Sequence, residues 1–277
     1  MNPAQSIYVK TSSGLGNQLF QIANGLEQAA RLNVSLYCDR SVNDGLTDRK
    51  YALNMIEEDC NFVSANYPTS FWRDNVISEY HEKFEFHYDR TIVRITPGSL
   101  LSGYFQHPDY SLNSRSAVLR ALSRFVVQDP LTRKIHLHVR RGDLKDNNFL
   151  RNKFGLLGIE YYVEAISYLD KLGYADHEIK IFSDSPEEVA KIFRFVFYNR
   201  KIEVHEPHQD SLLNLVDLAS TSLLIGANST YSWWAANIME FLNGDNQIVF
   251  PNTMLKTMPQ ANILLSDSWK LLSPHWR

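Results

Sequence analysis

Residues 135–143 read Ile-His-Leu-His-Val-Arg-Arg-Gly-Asp. Ile135, Leu137 and Val139 alternate with His136, His138 and Arg140, which predicts a strand with one apolar face and one cationic face. Arg141-Gly142-Asp143 follow, where glycine permits a sharp turn and sets cations and a carboxylate at the strand's end. In an open α/β sheet that end is where ligands bind. Taken alone, the run also fits surface arginines and satisfied strand histidines, so its neighbours in the chain decide.

Upstream, Ile7-Tyr8-Val9-Lys10 reads as a short strand, followed by the loop Thr11-Ser12-Ser13-Gly14-Leu15-Gly16-Asn17-Gln18. Leu19, Ala23, Leu26 and Ala30 then mark one face of a helix. Strand, glycine loop, helix is an arrangement in which Gly14 and Gly16 let backbone approach a ligand and the helix N-terminus faces an anion. It is neither the dinucleotide fingerprint nor the P-loop, because the third glycine of one and the Gly-Lys-Ser/Thr ending of the other are missing. Val34 to Tyr37 reads as the second strand of a βαβ unit. Residues 39–90 show no sustained periodicity. Leu100 to Gln106 reads as a strand and Ser116 to Val127 as a helix.

Gln128-Asp129-Pro130 punctuates the chain, and after it the alternation is regular. Tyr162, Ala165, Ile166, Leu169 and Leu172 form a helical face ended by Gly173. Glu178 to Phe182 is a strand, Ser185 a cap and Pro186 the start of a helix. Lys201 to His205, Ser222 to Ile225 and Gln247 to Phe250 are further strands, separated by helices at Leu212–Leu218 and Tyr231–Leu242. This predicts an α/β protein of two Rossmann-like domains facing a cleft, residues 1–130 and 131–277, with the C-terminal tail packing back on the N-terminal domain.

In a parallel second sheet, the segments after Arg140, Ser183 and Ile225 share one edge. A guanidinium grips a diphosphate through paired hydrogen bonds, hydroxyls at a helix start do the same, and a carboxylate accepts both donors of guanine's amidine edge. Each segment alone also reads as capping or turn chemistry, and Trp233 and Trp234 read as core.

The 277 residues carry 44% hydrophobic and 21% charged residues, enough for one large or two ordinary folded domains. A net charge of −3 gives no general attraction to nucleic acid or anionic membranes. Cys38 and Cys60 suit neither a disulfide framework nor a zinc pair, which favours a reduced, cytoplasmic setting. Met1 to Ser6 has no leader pattern and no later run is long enough to span a bilayer, so contact with a membrane-linked substrate is expected to be peripheral, at the inner face. The sequons Asn33-Val34-Ser35 and Asn228-Ser229-Thr230 are read as chance.

Four segments together resemble the signatures of α-1,2-fucosyltransferases, glycosyltransferase family 11: His138-Val139-Arg140-Arg141-Gly142-Asp143, Phe182-Ser183-Asp184, Asn228-Ser229-Thr230-Tyr231-Ser232-Trp233-Trp234 and Gly14-Leu15-Gly16-Asn17-Gln18-Leu19-Phe20-Gln21. Gly103-Tyr104-Phe105-Gln106 resembles a further one. The resemblance implies a GT-B fold and an inverting transfer of L-fucose from GDP-β-L-fucose to O2 of a terminal galactose on a glycan acceptor, with no metal or other cofactor. It implies donor binding by Asn17, His138, Arg140, Asp184, Ser229, Thr230 and Ser232. His138 and Asp184 would hold guanine, Arg140 the diphosphate, and Asp143 is the candidate base for the acceptor hydroxyl. The alternatives are another transferase using a guanine-nucleotide sugar, such as GDP-mannose, and a non-catalytic nucleotide- or carbohydrate-binding protein.

Overall fold

A computed structural model describes residues 5–41, 50–127, 133–242 and 244–277, the side chains of Asp143 and Asp146 excepted. The chain divides into two compact units, residues 1–124 and 125–277. Gln128-Asp129-Pro130, where the sequence placed its break, lies outside the described residues.

The first unit runs β1 (Ile7–Lys10), α1 (Leu15–Leu32), β2 (Leu36–Asp39), α2 (Glu57–Cys60), β3 (Val63–Ala65), α3 (Thr69–Asn75), β4 (Ser78–His81), β5 (Ser99–Ser102) and α4 (Arg115–Ser123). Its sheet has the order β3-β2-β1-β5-β4, every described pairing parallel. The second strand begins two residues later than the sequence suggests. Asn33 turns left-handed (φ 54°), and the amides of Asn33 and Val34 donate back to the carbonyls of Ala30 and Ala29, so Val34 belongs to the helix end. The strand expected over Leu100–Gln106 stops at Ser102. Beyond it, Gly103 (φ 154°) and Phe105 (φ 54°) redirect the chain, and the amides of Tyr104 and Phe105 donate to Glu82 Oε2 at 2.7 and 3.0 Å in place of a ladder partner.

The second unit runs β6 (Lys134–Val139), α5 (Gly142–Asp146), α6 (Asn148–Phe154), α7 (Ile159–Leu169), β7 (Glu178–Ser183), α8 (Pro186–Val196), β8 (Ile202–Val204), α9 (Ser211–Leu218), β9 (Leu223–Ile225), α10 (Thr230–Leu242), β10 (Gln247–Pro251) and β11 (Lys270–Leu272). The order β11-β10-β9-β6-β7-β8 is parallel throughout. It is the doubly wound order, and it explains one departure from expectation. A strand at the centre of such a sheet is covered on both faces, so β6 buries His136 and His138 as well as Ile135, Leu137 and Val139. The predicted cationic face is therefore not solvent-exposed within β6.

Tyr162, Ala165, Ile166 and Leu169 are core, as their spacing predicts, but Leu172 is 47% exposed. A wider helical turn over residues 170–174 rotates it off that face before Gly173 (φ 98°) ends the run. Trp233 and Trp234 are buried, the former donating Nε1 to the Leu264 carbonyl at 2.6 Å. The tail makes contacts within its own unit. Arg277 donates its amide to the Leu156 carbonyl and a guanidinium N–H to Glu160, and Trp276 covers Gly155 so closely that a Cβ there would meet the indole at 2.5 Å.

Candidate active site

From β6 the chain winds outward to β7 and β8, then returns to the other side of β6 to build β9, β10 and β11. The direction of winding reverses between β6 and β9. At such a point the connections leave on opposite faces and open a crevice at the strands' carboxyl ends. His138, Arg140, Arg141, Ser183, Asp184, Ser229 and Thr230 all lie at those ends.

His138 is buried, and its Nδ1 lies 2.6 Å from Ser232 Oγ, which also accepts the Ala227 amide at 3.0 Å. This chain of bonds ties β6 to the start of α10 directly across the reversal. Burial lowers the His138 pKa to about 4, opposed by the Asp184 carboxylate and reinforced by the Arg140 charge. The ring is thus neutral at pH 7, with Nδ1 occupied by Ser232. Its carbonyl accepts from Tyr162 Oη at 3.3 Å, and the Tyr231 ring packs 5.4 Å away.

Asp184, one residue past β7, accepts the Arg141 amide through Oδ1 at 2.8 Å. Its other oxygen would lie 2.4 Å from any Cβ placed on Gly142. Glycine at 142 therefore serves close approach of a carboxylate, whereas the sequence suggested only a turn; its φ is not positive. Arg141 is itself buried, with Nε left without a hydrogen-bond partner, while Arg140 is half-buried and in contact with its neighbours. The two adjacent arginines thus differ in exposure. The Asp143 side chain lies outside the described residues.

Ser229 precedes α10 and caps it, accepting the Tyr231 amide at 3.2 Å. Asn228 is buried and donates Nδ2 to the carbonyls of Phe154 and Gly155, both at 3.1 Å, which clamps the end of α6 to this loop. Ser232 was expected to meet phosphate. It is wholly buried and its hydroxyl is engaged by His138 and Ala227, so it braces the site from behind. Ser185 occupies the position before α8 with Pro186 first in the helix, but its side chain makes no capping bond. The Ser183 hydroxyl instead accepts the Ser185 amide at 3.0 Å.

The first unit has its own reversal, between β1 and β5, and Asn17 lies there. Asn17 Oδ1 accepts from Gln106 Nε2 at 2.7 Å, and Asn17 Nδ2 donates to Ser13 Oγ at 3.0 Å. Gln21 joins Ser12 to the Gly103 carbonyl, and Gln18 reaches the Ser13 and Lys50 carbonyls and the Ala52 amide. In this loop it is Ser13 that adopts the left-handed conformation (φ 63°), while Gly14 (φ −75°) begins the helix with open space where a Cβ would stand. Gly16 sits buried in the first turn of α1. Gln18 and Gln21 belong to the quoted glycine-loop segment but were given no role from sequence, and Glu82 was not singled out. The signal was present in α1, where Asn17, Gln21, Asn24 and Gln28 put amides on one side of a helix at spacings of three and four.

Among known proteins, the chain is 24% identical over 255 residues to an alpha-1,2-colitosyltransferase of Escherichia coli, covering 83% of this chain and 86% of that one. It is 29% identical over 138 residues, 48% of this chain and 42% of the relative, to the O-antigen biosynthesis glycosyltransferase WbnK of Escherichia coli. Among solved structures, the fucosyltransferase NodZ from Bradyrhizobium superposes with a TM-score of 0.49 at 13% identity, covering 84% of this chain and 93% of that one. POFUT1 in complex with GDP-fucose also gives 0.49, at 12% identity with coverage of 90% and 98%. No protein-family model matches the chain. Glycosyltransferase is the class that the chain shares with its two sequence relatives, and its architecture is α/β with parallel sheets.

Proposed function

We propose that the chain is an inverting glycosyltransferase that moves L-fucose from GDP-β-L-fucose to O2 of a terminal β-galactose, with no metal ion or other cofactor in the transfer step. The supporting observation is the convergence of Arg140, Asp184, Ser229 and Thr230 on the β6–β9 reversal, braced by His138 and Ser232. As the sugar–phosphate bond breaks, the electron pair leaves with GDP and positive charge builds on the sugar ring. Arg140 and the N–H groups and hydroxyls at the start of α10 meet the departing diphosphate charge. Asp184 and the remaining ring nitrogen of neutral His138 take the guanine edge. The acceptor oxygen attacks C1 from the opposite side, inverting the centre, and its proton passes to Asp143. Asn17 contributes a neutral amide for sugar or diphosphate. Docking to a lipid-linked acceptor would be peripheral; among the described residues no helix is long and apolar enough to cross a membrane.

One second reading is favoured by a specific observation. The relative matched over most of its length is a colitosyltransferase, so GDP-colitose is the competing donor. Incubating the purified chain with GDP-fucose, GDP-colitose or GDP-mannose and a panel of β-galactosides separates the readings by product mass. Release of GDP with a heavier galactoside from GDP-fucose supports the proposal. A product from GDP-colitose or GDP-mannose alone moves the assignment to that sugar. Nucleotide binding without any product identifies a non-catalytic binder.

A further inference from the structure

At the outer edge of the second sheet, the loop from β8 to α9 brings together His205, His208 and Asp217, whose ligand atoms lie within 4.8 Å of one another. The key to this corner is Asn214. Its Nδ2 donates to the carbonyls of His208 and Asp210 at 3.0 and 3.1 Å, which fixes the amide's orientation. Its Oδ1 therefore accepts, from the His208 amide at 2.7 Å and from His205 Nε2 at 2.9 Å. His205 must carry its proton on Nε2, so in the neutral ring Nδ1 is a bare lone pair. That lone pair faces Asp217 Oδ2 at 4.0 Å. Asp217 Oδ2 also lies 2.8 Å from His208 Nε2, so two imidazole nitrogens and one carboxylate oxygen converge on one point.

We propose that His205, His208 and Asp217 form a binding site for a divalent first-row metal ion of the zinc type. A histidine that ligates a metal through one nitrogen characteristically donates its other N–H to a protein acceptor, and Asn214 is that acceptor here. Tetrahedral bonds of about 2.0 Å separate ligand atoms by roughly 3.3 Å. The present separations from Asp217 Oδ2, 4.0 Å to His205 Nδ1 and 2.8 Å to His208 Nε2, bracket that value. The scaffold is uneven in a useful way. His205 is held by its amide to the Ile181 carbonyl of β7 and by stacking on Phe182 at 4.4 Å, and Asp217 is on α9, whereas His208 is exposed on the connecting loop with its ring already turned toward Asp217. Two imidazoles and one carboxylate favour zinc, cobalt or nickel over magnesium or calcium. A fourth position remains for water.

The ion would pin α9 to the β7 edge. Phe182 leads directly to Ser183 and Asp184, and the Tyr231 hydroxyl donates to the Ser211 carbonyl at the start of α9. Its role is to hold this wall in place, apart from the bond-making step.

The test uses the full chain, stripped with chelator and titrated with CoCl2 and ZnCl2. Expected are one ion per chain by calorimetry, a visible cobalt absorption of tetrahedral type that zinc displaces, and a rise in thermal midpoint. H205A and D217N should each weaken cobalt binding by more than about tenfold. H208A provides the same test at an exposed position where folding is not at risk. H177Q, altering a histidine beside Asp176 elsewhere in the unit, should leave binding unchanged. No cobalt absorption in the wild-type chain, or absorption that survives both H208A and D217N, overturns the proposal.

Discussion

The two units meet one topological problem with different chemistry. Each has a parallel sheet whose winding reverses beside its central strand, and each gathers polar side chains at that reversal. In the C-terminal unit these are a neutral buried histidine, two arginines, a carboxylate and hydroxyls, drawn from the ends of β6, β7 and β9. In the N-terminal unit they are mainly amides and hydroxyls from the first turns of α1, joined to the loop after β5 through Gln106 and Gln21, with one carboxylate, Glu82, taken up by the amides of Tyr104 and Phe105. Fixed charge is worth most where a leaving group becomes anionic. Neutral amides, which donate and accept without a large desolvation cost, suit hydroxyl-rich sugars. Under the proposed function, the fixed charges of the second unit suit a departing diphosphate and the amides of the first suit sugar hydroxyls.

The largest expected effect is at Arg140. R140K keeps the charge but loses the planar fork, and turnover should fall by about 100- to 1,000-fold with the fold unchanged by circular dichroism. Near-normal turnover would remove the second unit's claim to the diphosphate.

Acid should weaken the C-terminal unit through its buried histidines. His136 donates its Nδ1–H to the Leu218 carbonyl at 3.1 Å, and burial lowers its pKa to about 4, as it does for His138. Folding therefore favours the neutral rings. That contribution is fully present above about pH 6.5 and is lost as pH falls toward 4, because the unfolded chain takes up protons first. Up to roughly 3 kcal/mol per histidine is at stake. Urea midpoints measured between pH 7 and pH 5 should fall, and H136F should flatten the slope. An unchanged slope in H136F would show that His136 is not a source of the acid sensitivity.

G142A tests the close approach of Asp184. A methyl group there must push the carboxylate away, and a displacement of about 1 Å at a site can cost about 100-fold in turnover. S232A leaves the Ala227 amide and His138 Nδ1 without their shared partner, so unfolding free energy should drop by about 1–3 kcal/mol in urea titrations. The smallest effect falls in the first unit. Q106A releases Asn17, and the loss of one neutral hydrogen bond should raise KM by about tenfold at most, with little change in kcat. A kcat loss comparable to that of R140K would erase the proposed division between the units.

Much of the site was legible in the chain. The run at 135–143, the capping segments at 183 and 228 and the regular alternation after residue 130 together specify parallel strands with polar ends, because periodicity and turn residues are local properties. The irregular stretch from 39 to 90 was not. Its short elements β3, α3 and β4 draw their order from packing, with Tyr67 and Phe71 stacked at 4.2 Å and both set around Tyr8 and Tyr37 of the sheet.

From its own residues the chain determined the α/β class, the glycine and arginine motifs and the types of side chain available for a phosphate-bearing ligand. Tertiary structure alone decided which of them remain available. It buried His136, turned Ser232 from a phosphate contact into a brace, made Gly142 a matter of contact with Asp184 and joined Asn17 to Gln106. The reason is physical. A motif states what a side chain can bond to, whereas its actual partner is set by whichever strand end the fold brings within hydrogen-bonding distance.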